Sequence, residues 1–442
     1  MRIIYSIITF IALATSISRG YCQEPLVSLN VEPYRSSVVP YSTALGSANQ
    51  DVTSVRYALS LDQWERDEKL GNLSFNTFFE VPFSWTGRQA ILSIETASSP
   101  YIVYVGGEEV GRTLNGTMPA QFNITRYLER EASSPITIEL IEGSSSEELE
   151  GWSKEAKSFL GRVMVLSQPS MYVRDVSVTS AYSYGMINST VAIAVKSTAL
   201  LERVSRINYE LISPVGRVAT SGSLDVTLDM RREDTLRFFV VTPDSMAWSA
   251  ATPNLYKLKL STQYRGRHLE HLAFDLGLRS VECSDSGELI VNGSSVALKA
   301  AEIEPTTTNM RVAELKSRGY NALMISAGTY NPELFRFADS VGLYVVATAP
   351  INSSKSGDNT LVGGNPTNNP ERTAEYIERV DAIYHTTKLH PSVIAYSLAD
   401  SSLNGINLYE SYLYLKSREN QRPIIYEDNQ GEWNSDRLNI EY

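Results

Sequence analysis

The pattern of candidate strands and helices changes near Cys283, and this change constrains the fold more than any other feature of the sequence. Before Cys283 the chain has short β-rich runs separated by turn formers, whereas after it candidate strands alternate with candidate helices. Alternating strands and helices predict a parallel sheet, and many short strands with turns between them predict antiparallel β-sandwiches. A chain of 442 residues is long enough for two to four such domains.

Two β-rich blocks come first along the chain. In the first, residues 55–170, the runs 90–95 and 101–105 are rich in strand-forming residues. Residues 136–141 alternate polar and apolar side chains, as a half-buried strand does. The second block, residues 171–282, contains four strand-like runs and has the roughly 100-residue size of an immunoglobulin-type module. We therefore predict a β-sandwich for each block.

Two polar segments flank or interrupt these blocks. Residues 23–54 contain many turn formers and little periodicity, so we interpret them as a loose leader. Residues 143–158 hold three consecutive serines and four glutamates, a pattern that predicts a solvated surface excursion without a function of its own.

Residues 283–442 predict a (β/α) barrel that is incomplete. We count five strands, with a sixth at 438–440; the five are 296–299, 322–325, 343–347, 393–398 and 423–426. Helices are predicted between them, including 309–318, which ends at Gly319, and 332–341, which ends at Gly342. The region has roughly 160 residues, whereas a complete barrel has roughly 250. Such a sheet leaves unpaired edges. A partner or an oligomer covers them, the C-terminal segment rearranges, or the chain is a short gene product.

The N-terminus predicts export. Arg2 precedes an apolar stretch from Ile3 to Ala14, followed by small and polar residues, which is typical of a secretory signal peptide over residues 1–22. No later segment approaches the apolar length of a membrane span. Tyr21 precedes Cys22 where lipoprotein signals place a small residue, so the sequence favours a periplasmic, secreted or cell-surface protein without a lipid anchor.

Composition restricts the ligands. The formal net charge of −11 offers no electrostatic attraction for nucleic acid, whereas neutral polymers such as sugars remain open as ligands. Two cysteines cannot build a disulfide framework, and four histidines without paired His/Cys spacing give no metal signal. We expect neither a metal nor a cofactor.

Four sets of segments, in order along the chain, carry a resemblance to a known family. They are 79–88 with 103–111 and 122–128, then 248–256, then 274–281 with 289–293, and finally 390–398. Their sequence resembles glycoside hydrolase family 2, the β-galactosidase and β-glucuronidase type, over about residues 75–442. The resemblance implies a jelly-roll β-sandwich, an immunoglobulin-like β-sandwich and a TIM-type barrel, here with domains at 55–170, 171–282 and 283–442.

Several residues of these segments have a structural interpretation that we favour over a role in binding. Trp85 and Trp248 are predicted to be core aromatics. Asn292-Gly293 is predicted to form a hairpin turn with positive φ. His390 is predicted to position the chain before a strand. These residues specify the fold and not the chemistry.

The resemblance also implies where the chemistry should lie. Retaining glycosidases use two carboxyl groups about 5 Å apart, and a barrel presents them at the carboxyl ends of its strands. Where the family has Gly-Asn-Glu, with Glu as the acid/base, this chain has Ala399-Asp400-Ser401. Ser401 therefore stands at the acid/base position, and a hydroxyl cannot protonate a leaving glycosidic oxygen near neutral pH.

Three other strand ends differ from the family pattern in the same way. Residues 300–304 replace Gly-Val-Asn-Arg-His, residues 324–327 replace Arg-x-Ser-His, and residues 347–350 replace Asp-Glu-Ala-Asn. By the same resemblance the nucleophile would lie beyond Tyr442. We therefore predict a non-catalytic relative that binds a carbohydrate or a protein partner, with Glu302, Tyr396, Asp400 and Trp433 as carbohydrate-binding candidates.

Two alternatives remain open from the sequence. An active glycosidase, β-galactosidase-like, would need relocated carboxylates, for which Glu302, Glu304, Asp400, Glu427 and Asp428 are the candidates. A scaffold in a surface assembly would use the open barrel edge and both sandwiches for contacts. A distance between two carboxyl groups would test the first alternative, and the mass in solution would test the second.

Overall fold

A computed structural model describes most of the chain. The described residues are 27–49, 57–69, 72–129, 132–141, 143–151, 158–229, 232–426 and 433–442. The predicted signal peptide lies outside them. Of the helices that the structure describes, not one has the length and apolar character needed to cross a bilayer.

The first module is a β-sandwich of two antiparallel sheets, with strand orders β2-β3-β8-β5-β6 and β1-β9-β4-β7. A short helix, α1 (Ala44–Asn49), precedes it. The strands are β1 (Ala58–Ser60), β2 (Glu65–Lys69), β3 (Asn72–Glu80), β4 (Gln89–Ile94), β5 (Tyr101–Val105), β6 (Glu108–Thr113), β7 (Ala120–Asn123), β8 (Ser133–Leu140) and β9 (Val163–Gln168). Alternate residues of β5 and β8 are fully buried between the sheets, as period-two alternation predicts.

The second module is another antiparallel sandwich, with strand orders β10-β11-β14 and β13-β12-β15-β16. Its strands are β10 (Met171–Ser183), β11 (Met186–Ser197), β12 (Arg203–Ile212), β13 (Val218–Leu228), β14 (Glu233–Pro243), β15 (Tyr256–Tyr264) and β16 (Arg267–Leu276). Val191, Ile193 and Val195 of β11 point into its core, while the residues between them lie nearer the surface. The β-sandwich predicted for the second block is therefore confirmed.

The third module contains a small antiparallel sheet and a parallel sheet flanked by helices. Its elements are β17 (Val281–Cys283), β18 (Leu289–Val291), β19 (Ser294–Val296), β20 (Leu298–Ile303), α2 (Asn309–Ser317), β21 (Ala322–Ile325), α3 (Pro332–Val341), β22 (Tyr344–Thr348), α4 (Thr373–Thr387), β23 (Val393–Ser397), α5 (Ile406–Lys416), β24 (Ile424–Ile425) and β25 (Ile440–Glu441). Local signals set the helix ends: Asn331 caps α3 and Gly342, at φ 72°, terminates it.

Over the described residues the parallel sheet has six strands in the order β24-β23-β22-β21-β20-β25. The last strand, β25, pairs with the start of β20, the first strand of the barrel region, and not with β24. The sheet is therefore a partial barrel that is open between β24 and β25. This arrangement, together with the two sandwiches, confirms the predicted fold class.

The segment that we interpreted as a loose leader contacts all three modules over its described part, residues 27–49. Ser28 and Tyr34 donate hydrogen bonds of 2.8 and 3.0 Å to the Glu378 carboxylate of α4. Arg35 donates to the side chains of two glutamines of the first module, at 2.9 Å each. The Ser36 amide donates to Asp175 of the second module. The interpretation as loose is wrong for these residues, because their polar groups are paired with distant parts of the chain.

The glutamate-rich stretch is not a solvated face over its described residues, 143–151. Leu149 is fully buried, and the Glu150 carboxylate accepts from the buried Arg379 of α4 at 3.3 Å. The Arg379 guanidinium also donates to the Pro350 carbonyl at 2.6 Å. The prediction of a surface excursion is wrong here, because this loop closes the contact between the first module and the barrel.

Candidate functional site

A cavity of about 1140 Å³ occupies the interior of the partial barrel. Complete barrels fill this space with layers of side chains, but here the sheet does not close around it. The lining residues come from the interior face of the sheet, the loop after β17 and the C-terminal segment. They are Ser286, Glu288, Leu289, Ser295, Val296, Ala297, Leu298, Glu302, Met324, Ser326, Thr348, Ser397, Ala399, Asp400, Ser401, Leu438, Asn439, Ile440, Glu441 and Tyr442.

Strand alternation places polar groups in this cavity. On β20, Ala301 and Ile303 pack in the core beneath the helices, so Glu302 between them points to the interior. Ser326, Thr348 and Ser397 lie at or just past the ends of the next three strands and also line the cavity. These hydroxyls and the Glu302 carboxylate make one wall of the cavity a surface of hydrogen-bonding groups.

Asp400 and Ser401 lie together at the carboxyl end of β23. The Ser401 hydroxyl donates to Asp400 Oδ1 at 2.8 Å, and the Ala327 amide donates to Oδ2 at 3.3 Å. The Asp400 amide in turn donates to the Ile351 carbonyl at 2.9 Å. Both carboxylate oxygens of Asp400 therefore accept hydrogen bonds, one from the adjacent Ser401 hydroxyl and one from the backbone that follows β21.

The backbone of Ser401 is strained. Its φ of 46° lies in the left-handed region, which costs a non-glycine residue about 1 kcal/mol or more. Such strain persists where the surrounding structure holds the turn in place, and it recurs at functional sites. Here the turn brings Asp400 and Ser401 to the cavity rim.

Glu302 is a cavity carboxylate without a partner among the described residues. Among the described residues, it makes no hydrogen bond and no ion pair, and its side chain is exposed to the cavity. Asp400 lines the same cavity, so the structure brings two of the predicted residues together. Glu304, two residues further along the chain, is exposed and does not line the cavity.

Tyr396 lies on the opposite face of the sheet. Its ring is fully buried among the helices, with the Tyr384 ring centroid at 5.6 Å and the Arg422 guanidinium at 4.9 Å. Burial raises the pKa of Tyr396 to about 12. The prediction that Tyr396 contacts a carbohydrate in the barrel is therefore wrong: strand alternation directs it into the helical core.

Trp433 lies away from the cavity wall. It is 57% exposed, and its ring centroid lies 5.0 Å from that of Tyr409 on α5. Residues 427–432, which precede Trp433, lie outside the described residues, and the candidates Glu427 and Asp428 belong to this segment.

Sequence reasoning missed several cavity residues. Glu288, Asn439 and Glu441 contribute polar groups from outside the predicted strand ends, while Thr348 and Ser397 end buried strands. A polar residue at the last position of an otherwise apolar strand was a signal for the second pair. No local signal marks the first three, because only strand pairing brings the C-terminal segment beside β20.

Motif residues that carry the family resemblance hold the barrel against the second module. The Trp248 indole donates to the Asp339 carbonyl at 2.9 Å, and His390 Nδ1 contacts Asp339 Oδ2 at 2.6 Å. Asn292 and Gly293 have φ values of 50° and 73°, which confirms the predicted hairpin turn. The structural interpretation of these residues is therefore confirmed, and they do not line the cavity.

The described residues contain no group of three or more His, Cys, Asp or Glu side chains arranged to hold a metal ion.

Comparison with known proteins gives consistent matches. Residues 303–442 match the family model "Glycosyl hydrolases family 2, TIM barrel domain". A β-galactosidase of Pectobacterium atrosepticum is 25% identical over 400 residues, which cover 85% of this chain and 37% of that relative. The chain thus spans little more than a third of the length of this curated relative.

Solved structures match over most of the chain. A β-glucuronidase 2 of Bacteroides uniformis, solved with a covalently bound cyclophellitol-6-carboxylate aziridine, aligns with a TM-score of 0.69 at 15% identity and covers 90% of this chain and 52% of its own. A putative β-galactosidase of Bacteroides fragilis aligns with a TM-score of 0.69 at 13% identity, covering 90% and 64%. At these identities the likeness shows a shared fold.

Proposed function

Because the chain belongs to glycoside hydrolase family 2, we propose that its barrel cavity binds carbohydrate without hydrolysing it. The observation that carries this proposal is the pairing of Ser401 with Asp400 in a large polar cavity. The resemblance assigns the acid/base to position 401, and a serine hydroxyl is too weak an acid to protonate a leaving glycosidic oxygen near neutral pH. The cavity around it nevertheless keeps the size and polarity that a sugar requires.

The cavity residues suit the hydroxyl groups of a sugar. Ser326 and Thr348 supply hydroxyls that can both donate and accept. The Ser397 hydroxyl donates to the Ala399 carbonyl at 2.9 Å, so it offers an acceptor, as Glu302 and Asp400 do. Hydrogen bonds from neutral hydroxyls to ionised carboxylates are stronger than neutral pairs. We therefore assign recognition of sugar hydroxyls to these five side chains.

We also propose that the protein acts outside the cytoplasm. The support is the predicted signal peptide over residues 1–22. Fractionation of cells that express the full chain, with N-terminal sequencing of the product, tests this part. Export predicts a mature N-terminus near Tyr21 to Gln23, whereas an intact Met1 in the cytoplasmic fraction contradicts it.

A paired measurement of binding and hydrolysis tests the main proposal. Isothermal titration of the full chain with neutral β-galactosyl and β-glucosyl oligosaccharides should show binding. Nitrophenyl β-galactoside and β-glucuronide should release no nitrophenol above the rate without protein. Turnover at enzyme-like rates, or absence of binding to every oligosaccharide, contradicts the proposal.

The variant Ser401→Glu sharpens this test. It restores a carboxyl group at the position to which the family resemblance assigns the acid/base. We expect weaker sugar binding, because the added side chain fills the rim where Asp400 accepts from Ser401. Ser183→Glu, at an exposed position on the second module, is the matched control and should leave binding unchanged.

The second candidate function is an active glycosidase. The observation that favours it is that Glu302 and Asp400 line the same cavity, as two relocated carboxyl groups would. In that case Glu302→Gln and Asp400→Asn would each lower kcat on a nitrophenyl glycoside by at least about a hundredfold. A wild-type protein without turnover excludes this candidate directly.

A further inference from the structure

We infer that the barrel cavity selects carbohydrates by charge: it takes neutral sugars and those with a protonated amine, and it rejects sugars with a carboxylate or a sulfate. This inference rests on the proposed carbohydrate binding and names the class of ligand. The observations that carry it are the charged groups that line the cavity and the direction in which the neighbouring basic side chain points.

The charges in the cavity wall have one sign. Glu288, Glu302, Asp400 and Glu441 line the cavity, and its described lining residues include no Lys, Arg or His. Asp400 takes hydrogen bonds from a hydroxyl and an amide but makes no ion pair among the described residues. Glu441 pairs in parallel register with Lys299, so strand alternation directs its side chain to the other face of the sheet. The carboxylates of Glu288, Glu302 and Asp400 remain on the cavity wall, and none of them makes an ion pair among the described residues.

The carboxylates are spread along the length of the cavity. Glu288 follows Gly287, whose carbonyl accepts from the Asn439 amide beside the start of β20, whereas Glu302 lies near the carboxyl end of β20. Asp400 follows β23 at the carboxyl end of the sheet. A ligand that extends along the cavity therefore meets negative charge at both ends, and no orientation of an acidic sugar avoids it.

Lys299, the basic residue that pairs with Glu441 between β20 and β25, points away from the cavity. Lys299 follows the alternation of β20 to the helical face, where its ammonium lies 5.2 Å from the centroid of the Tyr320 ring. Tyr320 packs against the core beneath the helices. The fold thus directs the ammonium of Lys299 to the face opposite the one that carries Glu302.

Electrostatics sets the size of the effect. Like charges within one cavity repel, and water and salt reduce the repulsion because the cavity is open. We expect an acidic oligosaccharide to bind at least about tenfold more weakly than its neutral counterpart, and an amine-bearing one to bind more tightly. The difference should shrink as salt is added.

Matched oligosaccharides test the inference on the full chain. Isothermal titration uses β-1,4-linked tetrasaccharides of glucose, glucosamine and glucuronic acid, and the corresponding galacto-configured set, near pH 6, where glucuronate is ionised and glucosamine is largely protonated. The expected order of affinity is amine, neutral, acid. Binding of an acidic tetrasaccharide within about twofold of the neutral one overturns charge selection but leaves carbohydrate binding intact. Absence of binding by all six overturns the proposed function itself.

A pair of variants links the selection to named residues. In Glu302→Gln combined with Asp400→Asn, the ratio of neutral to acidic affinity should fall toward one. Glu282→Gln is the matched control, because Glu282 is an exposed glutamate on β17 outside the cavity lining, and it should leave the ratio unchanged. An unchanged ratio in the double variant overturns the assignment.

Discussion

Two regions of the molecule treat charged side chains in opposite ways. Where the first module meets α4, Arg379 and Glu150 are 1% and 0% exposed and lie 3.3 Å apart, and Arg372 contacts Glu375 at 2.6 Å. In the barrel cavity, Glu302 is exposed and has no partner among the described residues. The charges at the contact with α4 are therefore neutralised by partners, whereas the charge of Glu302 in the cavity is not.

The difference follows from the cost of removing charge from water. An ion placed in a dry interior loses several kcal/mol of hydration unless an opposite charge and hydrogen bonds replace the water. The contact with α4 is dry, so each buried charge there requires its partner. The cavity is open to solvent, so its carboxylates stay hydrated and remain available to a ligand.

Removal of the cation from the buried Arg379–Glu150 pair should have the largest effect on stability. Arg379→Ala leaves the Glu150 carboxylate buried without its cation and removes the donor to the Pro350 carbonyl. We expect the free energy of unfolding to fall by about 3–5 kcal/mol, measured by urea denaturation. Arg311→Ala, at an exposed pair with Glu314, is the control and should change it by less than about 1 kcal/mol. A small effect of Arg379→Ala would mean that the contact does not contribute to stability.

Glu270 is a buried carboxyl without a close cation among the described residues, and its effect on the free energy of unfolding should depend on pH. It is a fully buried carboxyl, 2% exposed, that accepts from the Val173 amide at 3.1 Å. Burial raises its pKa from 4.5 to about 7. A folded-state pKa above the unfolded one means that the native protein binds the proton more tightly, so this contribution to stability is present below about pH 4.5 and is lost as the pH rises through about 7.

Removal of the Glu270 charge tests this sign. At pH 8, Glu270→Gln should have a free energy of unfolding up to about 3 kcal/mol higher than that of the wild type, measured by urea denaturation. This gain should disappear near pH 4. Glu210→Gln, on the surface of the same module, is the control. A gain of the same size at both pH values would show that the effect does not come from ionisation.

Removal of a cavity carboxylate should have the smallest effect on stability. Glu302→Gln deletes a charge that is hydrated and unpaired, so we expect a change of less than about 0.5 kcal/mol in the free energy of unfolding. Thermal unfolding at constant pH measures it. A loss of several kcal/mol would mean that Glu302 has a structural partner in the fold and would end the contrast between the two regions.

Much of the fold was predictable from short stretches of sequence. The helices at 309–318 and 332–341 were predicted within one residue of α2 and α3, because capping residues and glycines act within a single turn. The antiparallel strands were predictable because their side chains alternate between core and surface with a period of two. Asp400 and Ser401 could be located because a short motif ends at them.

The remaining features of the site could not be read locally. Residues 393–398 are apolar on both faces, as in a strand buried on two sides, so the pattern could not tell that Tyr396 points to the helices. Glu150 looked like part of a solvated run because its cation, Arg379, lies 229 residues away in the sequence. Nothing in residues 438–442 indicated that they would pair with β20.

The sequence by itself therefore determined the order of the modules and the ends of the helices, and it carries the prediction that Ser401 stands at the acid/base position, because each depends on neighbouring residues. The tertiary structure alone decided which carboxylates face a common cavity and which are neutralised by a cation. Long-range pairing decides this, since Glu288 reaches the cavity beside the C-terminal segment, where the Asn439 amide donates to the Gly287 carbonyl, and Glu150 is neutralised by a distant helix. Whether a carboxylate supports the fold or meets a ligand depends on how dry its surroundings become, and packing sets that property.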